Sequence, residues 1–298
     1  MEDRFCTAAD GTEICYRVLG RGHPLVLIAG LGLQLTSWPQ PLIDGLLERG
    51  FQLFLIDNRD VGRSGRAAGP PPSKLSFLLG RIPQEGYGLS DMACDVIAVV
   101  DAEKIACAHV AGMSMGGMIA QVLAARHPDR VTSLTSIFST TGARDVGQPE
   151  LRIMLNMMKP PARTRASAQK KFVDMLQRIG GRSFEVNSAA WAKYAGDAWD
   201  RGAAKPEEGV ARQAAAIFRS GDRTAELATI TTPTLVIHGD HDPLVATSGG
   251  RATAAAVAGA QLQIIKGMGH DLADGVLATI IELINSHCKA AQPSSPPS

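Results

Sequence analysis

The sequence predicts an α/β domain: a mostly parallel central sheet with helices on both faces and a helical cap inserted into its second half. Three observations carry this reading. Short, unbroken apolar runs lack polar alternation, as strands buried on both faces do. Helix-period stretches separate those runs, the order expected of parallel strands joined by right-handed crossovers. Between 140 and 226 helical stretches follow one another with no convincing strand among them.

Taken in order, Arg4 to Ala8 and Glu13 to Leu19 alternate apolar and polar residues across Asp10-Gly11, which predicts an antiparallel hairpin. Five apolar runs follow, Leu25 to Ile28, Phe51 to Ile56, Ala108 to Ala111, Val131 to Ile137 and Thr234 to Ile237, with a sixth at Gln261 to Ile265. Helices are expected at Pro39 to Arg49, Ser90 to Val100, Met115 to Ala125, Ser248 to Val257 and Leu272 to His287. The insertion adds Pro149 to Met158, Ser167 to Ile179, Ser188 to Trp199 and Glu207 to Arg219. Thr140-Thr141-Gly142 and Thr231-Thr232-Pro233 supply loop signals around it. The expected organisation is a core of 1–139 and 227–290, a helical cap of 140–226, and a Pro/Ser-rich, disordered tail of 291–298.

The 298 residues suffice for one α/β core with an insertion, and 45% hydrophobic with 20% charged residues is ordinary globular composition. A net charge of +1 provides no footprint for nucleic acid or anionic lipid. The N-terminus Met1-Glu2-Asp3-Arg4 lacks the pattern of a secretory signal and no apolar run reaches bilayer length, so no membrane partner and a cytoplasmic location are expected. Five scattered cysteines without a C-x-x-C pair indicate neither a disulfide framework nor a zinc site, and are expected to be buried free thiols. Oligomeric state is not legible.

The strongest local signal is Gly112-Met113-Ser114-Met115-Gly116-Gly117, between the run His109-Val110-Ala111 and the helical Met118 to Leu123. It fits G-x-S-x-G, a sharp strand-to-helix turn that exposes a strained serine at the N-terminus of a helix. The alternative is a turn without chemistry, which the strand, turn, helix order disfavours. A serine needs a base, and the base needs a carboxylate to orient it. In folds built on such an elbow both follow the serine, acid before base. His23 and His109 precede it, His127 and His287 close helices, and His238 and His241 crowd the expected acid, which leaves His270 in Gly267-Met268-Gly269-His270. After Thr234 to Gly239, Asp240 and Asp242 compete as acid. Asp242 lies deeper in the loop before Pro243 and is favoured, whereas Asp240 suits a brace for the turn. Asp271 and Asp274 are expected to serve the N-terminus of the last helix. For an oxyanion, backbone N–H groups are expected from Met115 and from Leu31 in Ala29-Gly30-Leu31-Gly32-Leu33.

These residues resemble the α/β-hydrolase superfamily. Leu55-Ile56-Asp57-Asn58-Arg59-Asp60-Val61-Gly62-Arg63-Ser64 is similar to its D-x-R-G-x-G-x-S stretch, with Asp60 where glycine is usual. Ile230 to Gly239 with Asp242, and Gly269-His270, are similar to its acid and base segments. N-R-D-x-G-R-S with G-M-S-M-G-G most resembles the small carboxylesterases that include aclacinomycin methylesterase. The resemblance implies Ser114, Asp242 and His270 as catalytic residues, Leu31 and Met115 as oxyanion donors, and a helical cap that determines substrate. Ala29 stands where many members have histidine, which makes the local wall less polar.

The expected activity is hydrolysis of a small-molecule carboxylic ester through an acyl-enzyme, with no metal or organic cofactor. Met154 and Met158, with Leu155 and Met157 at helical spacing, are expected either to bind substrate or to pack the insertion onto the core. The same residues would also serve a lactonase, a C–C hydrolase or a perhydrolase; a silent ligand-binding member of the fold is a further alternative, against which the retained serine, aspartate and histidine argue.

Overall fold

The computed structural model describes residues 2–73, 76–77, 80–202 and 206–292; of the expected tail, 293–298 lie outside these. Eight strands form one sheet: β1 Arg4–Thr7, β2 Glu13–Leu19, β3 His23–Ile28, β4 Phe51–Ile56, β5 Ala108–Met113, β6 Val131–Ile137, β7 Thr234–Gly239 and β8 Gln261–Ile265. Their order is β1-β2-β4-β3-β5-β6-β7-β8. β2 pairs antiparallel with β1 and β4. All other pairings are parallel. The hairpin and the apolar runs thus take the places their patterns predict.

Pleating separates the runs into two cores. Val26, Ile28, Val110 and Leu134 face α2 (Leu89–Ala102) and α3 (Met115–Arg126). Leu25, Leu27, Ala111 and Ile237 face α1 (Gln40–Glu48) and the last helix, Asp274–Ala290. This is why those strands read as continuous apolar runs.

Between β6 and β7 lie α4 Leu151–Met157, α5 Arg165–Ile179, α6 Ser188–Arg201, α7 Pro206–Ser220 and the short α8 Thr224–Leu227, with no strand among the described residues. α9 Thr247–Ala256 and α10 Asp274–Ala290 complete the chain. The chain leaves and re-enters the core at one place: Arg223 N–H donates to Thr141 O at 3.0 Å, and its buried guanidinium to Thr140 O at 2.7 Å.

Two ionic clamps fasten the inserted helices to the loop after β4. Arg201, at the end of α6, pairs with Asp57 at 2.5 Å and Asp3 at 3.0 Å. Arg212 of α7 pairs with Asp60 at 2.9 Å, and Asp60 also accepts the Tyr87 hydroxyl at 2.7 Å. Asp60 has φ 72°, a left-handed conformation that glycine adopts freely, so the aspartate holds a strained backbone in exchange for this pairing. With side chains 9% and 0% exposed, separating the Arg212–Asp60 pair leaves a buried charge alone. Arg212→Met is expected to lower stability in urea denaturation by about 3 kcal/mol. Adding Asp60→Gly should recover most of the loss, because glycine removes both the orphaned charge and the strain. An unchanged midpoint in the single variant would contradict the clamp.

The thiols depart from expectation: Cys15 and Cys288 are buried, but Cys94 and Cys107 are exposed. Cys94 lies on a helix position that points away from the sheet, and Cys107 lies in the loop before β5.

Candidate active site

β5 is buried along its whole length and ends at Met113; α3 begins at Met115. The single residue between them is Ser114, with φ 55° and ψ −120°. This sharp reversal requires close backbone packing. A Cβ on Gly112 would fall 2.1 Å from Gly116 O, and one on Gly116 would fall 2.0 Å from Ile28 O. Three bonds hold the turn: Ser114 N–H to Ile137 O at 2.9 Å, Met118 N–H to Ser114 O at 3.1 Å, and Ser139 Oγ to Ser114 O at 2.8 Å. The strain is thereby carried by β6 and α3 while the side chain remains partly accessible.

His270 arrives from the loop between β8 and α10. Its Nε2 stands 3.0 Å from Ser114 Oγ, and its Nδ1 2.6 Å from Asp242 Oδ2. Asp242, on the loop after β7, is buried, and its other oxygen accepts the N–H groups of Leu244 and Val245 at 2.9 and 2.8 Å. Burial alone would push the Asp242 carboxyl up. The charge of His270 and hydrogen bonds from His238 and His270 outweigh it and hold the pKa down at about 2. Asp240 instead accepts Gly267 N–H and bonds His241, both at 2.6 Å, the bracing part expected of it.

The loop after β3 passes beside the serine, where a Cβ on Gly30 would lie 3.4 Å from Ser114 Cβ. Its amides are held from several directions. Gly32 donates to Gln213 Oε1 at 2.9 Å, Leu33 to Gly30 O at 3.1 Å, Gln34 to Tyr194 Oη at 3.1 Å and Leu35 to Asp57 Oδ1 at 2.7 Å. Neither Leu31 nor Met115 has a partner for its N–H among the described residues. Gln213 and Tyr194 belong to α7 and α6, so the inserted helices help to shape this loop.

Sequence reasoning did not find Phe138, whose ring lies 4.5 Å from that of His270. Its φ of 36° is a property of the end of β6 that no local pattern announces. Nor did it find His238, 3.4 Å from Asp242 Oδ2 and bonded to Val245 O at 2.8 Å. The expectation for Asp271 needs correction: Ala273 is the N-cap of α10, and Asp271 is 4% exposed, buried beside His270.

Met154 and Met158 are not packed into the core, and neither lines the cavity beneath α5 to α7. They are 48% and 54% exposed, and Ile153, fully buried with Leu176 and Ile179, anchors α4. The reason is helical phase. Met154 is about 100° round the helix from Ile153, and Met158 lies four residues further on that same outer face. A cavity of about 330 Å³ opens instead between the loops after β3 and β4 and helices α5 to α7, lined by Gly32, Gln34, Phe172, Tyr194 and Trp199 among others.

Comparison with known proteins agrees with this architecture. A family model described as the alpha/beta hydrolase fold matches residues 23–274. Rhodomycin D methylesterase DauP of Streptomyces sp. (strain C5) is 32% identical over 288 residues, 90% of this chain and 91% of that protein. Rhodomycin D methylesterase DnrP of Streptomyces peucetius is 29% identical over 90% of this chain and 91% of its own. The crystal structure of esterase RhEst1 from Rhodococcus sp. ECU1013 superposes with a TM-score of 0.75 at 23% identity, covering 98% of this chain and 100% of that one. With its fold, a family match across most of its length and a relative of 32% identity over 90% of the chain, this protein belongs to the α/β-hydrolase family.

Proposed function

We propose that this hydrolase is a serine carboxylesterase acting on small to medium carboxylic esters, with Ser114 as nucleophile, His270 as base and Asp242 as its orienting acid. The observation that carries the reading is the continuous relay from Ser114 Oγ through His270 to Asp242, at 3.0 and 2.6 Å. As Ser114 Oγ attacks the ester carbonyl carbon, its proton passes to His270 Nε2, and Asp242 stabilises the imidazolium. The free N–H groups of Leu31 and Met115 receive the oxyanion. Collapse expels the alkoxide, which takes the proton from His270 and leaves an acyl-enzyme. Water then gives a proton to Nε2, attacks the acyl carbon and releases the acid and Ser114. By likeness to the two methylesterases, methyl esters are included among the substrates. We further propose that 140–226 acts as a cap, with the aromatic-lined cavity beneath α5 to α7 receiving the apolar part of the ester.

The test is covalent trapping alongside turnover. A fluorophosphonate should inactivate p-nitrophenyl ester hydrolysis with one equivalent bound, and peptide mass mapping should locate the adduct on Ser114. Full inactivation with the label on another residue would overturn the assignment.

A further inference from the structure

The last turn of α5 and the segment after it, Ile179 to Ser183, lie directly on the loop that carries His270. His270 N–H donates to Ile179 O at 2.7 Å, and the N–H groups of Arg182 and Ser183 donate to Gly267 O at 2.9 and 3.3 Å. The two backbones meet so closely that a Cβ on Gly181 would fall 2.1 Å from Gly267 O, and one on Gly269 would fall 2.3 Å from Ile179 O. At this junction sits Asp271. It is 4% exposed, its Oδ2 would lie 3.7 Å from a Cβ on Gly180, and that oxygen is buried with no hydrogen-bond partner among the described residues.

An unsatisfied, buried carboxylate oxygen destabilises a fold. Packing therefore gives no reason for an ionisable group here. The neighbouring site does. The charges that act on Asp271 are His270 on its own loop and Asp242 on the loop after β7. The inserted turn presents Gly180 and the Gly181 backbone, flanked by exposed Arg178 and Arg182, and α10 begins with exposed Asp274.

We propose that Asp271 is a positioning residue for the base: its ionised carboxylate, buried where the His270 loop meets the inserted turn, adds a second negative charge beside the imidazolium formed when Ser114 reacts. This rests on the assignment of Ser114, Asp242 and His270 made above. Burial raises the Asp271 pKa to about 6, with Asp242 adding to the rise and the Gly181 N–H and His270 opposing it. The charge is therefore present at pH 8 and lost toward pH 5. The sign for stability is opposite to that for activity. A carboxyl whose pKa is raised on folding favours the native state when protonated, and that contribution is lost as pH rises from 3.8 through about 6.

The experiment measures kcat and KM for p-nitrophenyl acetate from pH 5 to 9 in the wild type, Asp271→Asn, Asp271→Ala, Asp271→Glu and Ser114→Ala, with Tm at pH 8. The ratio of wild-type to Asp271→Asn kcat/KM is expected to be about tenfold at pH 8 and to fall toward one at pH 5. KM should change little, Asp271→Glu should recover part of kcat, and Tm of Asp271→Asn at pH 8 should equal or exceed that of the wild type. Asp271→Ala, which places no amide in the pocket, is read by the same ratio. A ratio constant across pH, or equal to one at pH 8 while Ser114→Ala is inactive, overturns the proposal and leaves the triad standing. If neither neutral variant folds, Asp271 is structural and the proposal falls. Ser114→Ala as active as the wild type, or a wild type without activity, overturns the triad assignment itself and takes the proposal with it.

Discussion

Ser114→Ala is expected to lower kcat/KM for p-nitrophenyl esters on the order of 10⁴- to 10⁶-fold, a loss of about 5 to 8 kcal/mol in transition-state stabilisation. The magnitude follows from what the variant removes. Without Oγ there is no nucleophile to acylate, and His270 Nε2 loses the proton donor 3.0 Å away. The remaining rate would come only from the unspent N–H groups of Leu31 and Met115 and from binding. The turn itself should survive, because its bonds to Ile137, Met118 and Ser139 use Ser114 backbone atoms. Stability of Ser114→Ala in urea is accordingly expected to be close to wild type. Ser114→Gly is expected to be equally inactive but more stable by about 1 kcal/mol, since glycine relieves the φ of 55°. Steady-state rates and denaturation midpoints of the two variants check both statements. Retained activity in both would remove Ser114 from the chemistry.

What could be read from the sequence is what depends on local order. β4 and β6 have the bounds of their apolar runs, because strands buried on both faces have no reason to alternate; β8, the half-exposed edge strand, also has the bounds expected for it. Ser114, Asp242 and His270 stood out because each lies between a strand and a helix, and the fold brings them within hydrogen-bonding reach although 156 residues separate the first from the last. What could not be read depends on which faces meet. Met154 and Met158 have helical spacing, but only the burial of Ile153 sets the phase of α4 and turns them outward. The Arg201–Asp57 and Arg212–Asp60 pairs join residues 144 and 152 positions apart, and nothing in either segment names its partner. Asp271 was misread for a related reason: an acidic residue ahead of a helix fits a capping pattern, and only the packing of the turn after α5 buries it.

The inserted helices therefore do more than cover the sheet. Gln213 and Tyr194 hold the amides of Gly32 and Gln34, Asp57 divides its oxygens between Leu35 N–H and Arg201, and Ile179 accepts the N–H of His270. The loop expected to bind the oxyanion and the loop carrying His270 are thus both braced from the same insertion. A change in how α5 to α7 sit would reach both at once.

Asp242→Asn is expected to lower kcat by about 10⁴-fold with little effect on KM, and the surrounding bonds say why. Oδ1 of Asp242 accepts two backbone N–H groups, from Leu244 and Val245. In the variant those donors would claim the amide oxygen, which leaves the NH₂ group at the position of Oδ2, facing His270 Nδ1. A donor there selects the imidazole tautomer with its proton on Nε2, so the nitrogen facing Ser114 Oγ could no longer accept a proton. The amide also supplies no negative charge for the imidazolium. Asp240→Asn provides the contrast: Asp240 contacts Gly267 and His241, is exposed, and its loss should change kcat less than about threefold. Because the Asp242 pKa lies at about 2, the carboxylate is fully ionised from pH 5 upward, and the deficit of Asp242→Asn should be nearly constant from pH 5 to 9. That separates it from Asp271→Asn, whose deficit should grow as pH rises through about 6. Measuring both profiles with one substrate assigns each carboxylate its part; equal losses in Asp240→Asn and Asp242→Asn would withdraw Asp242 as the partner of the base.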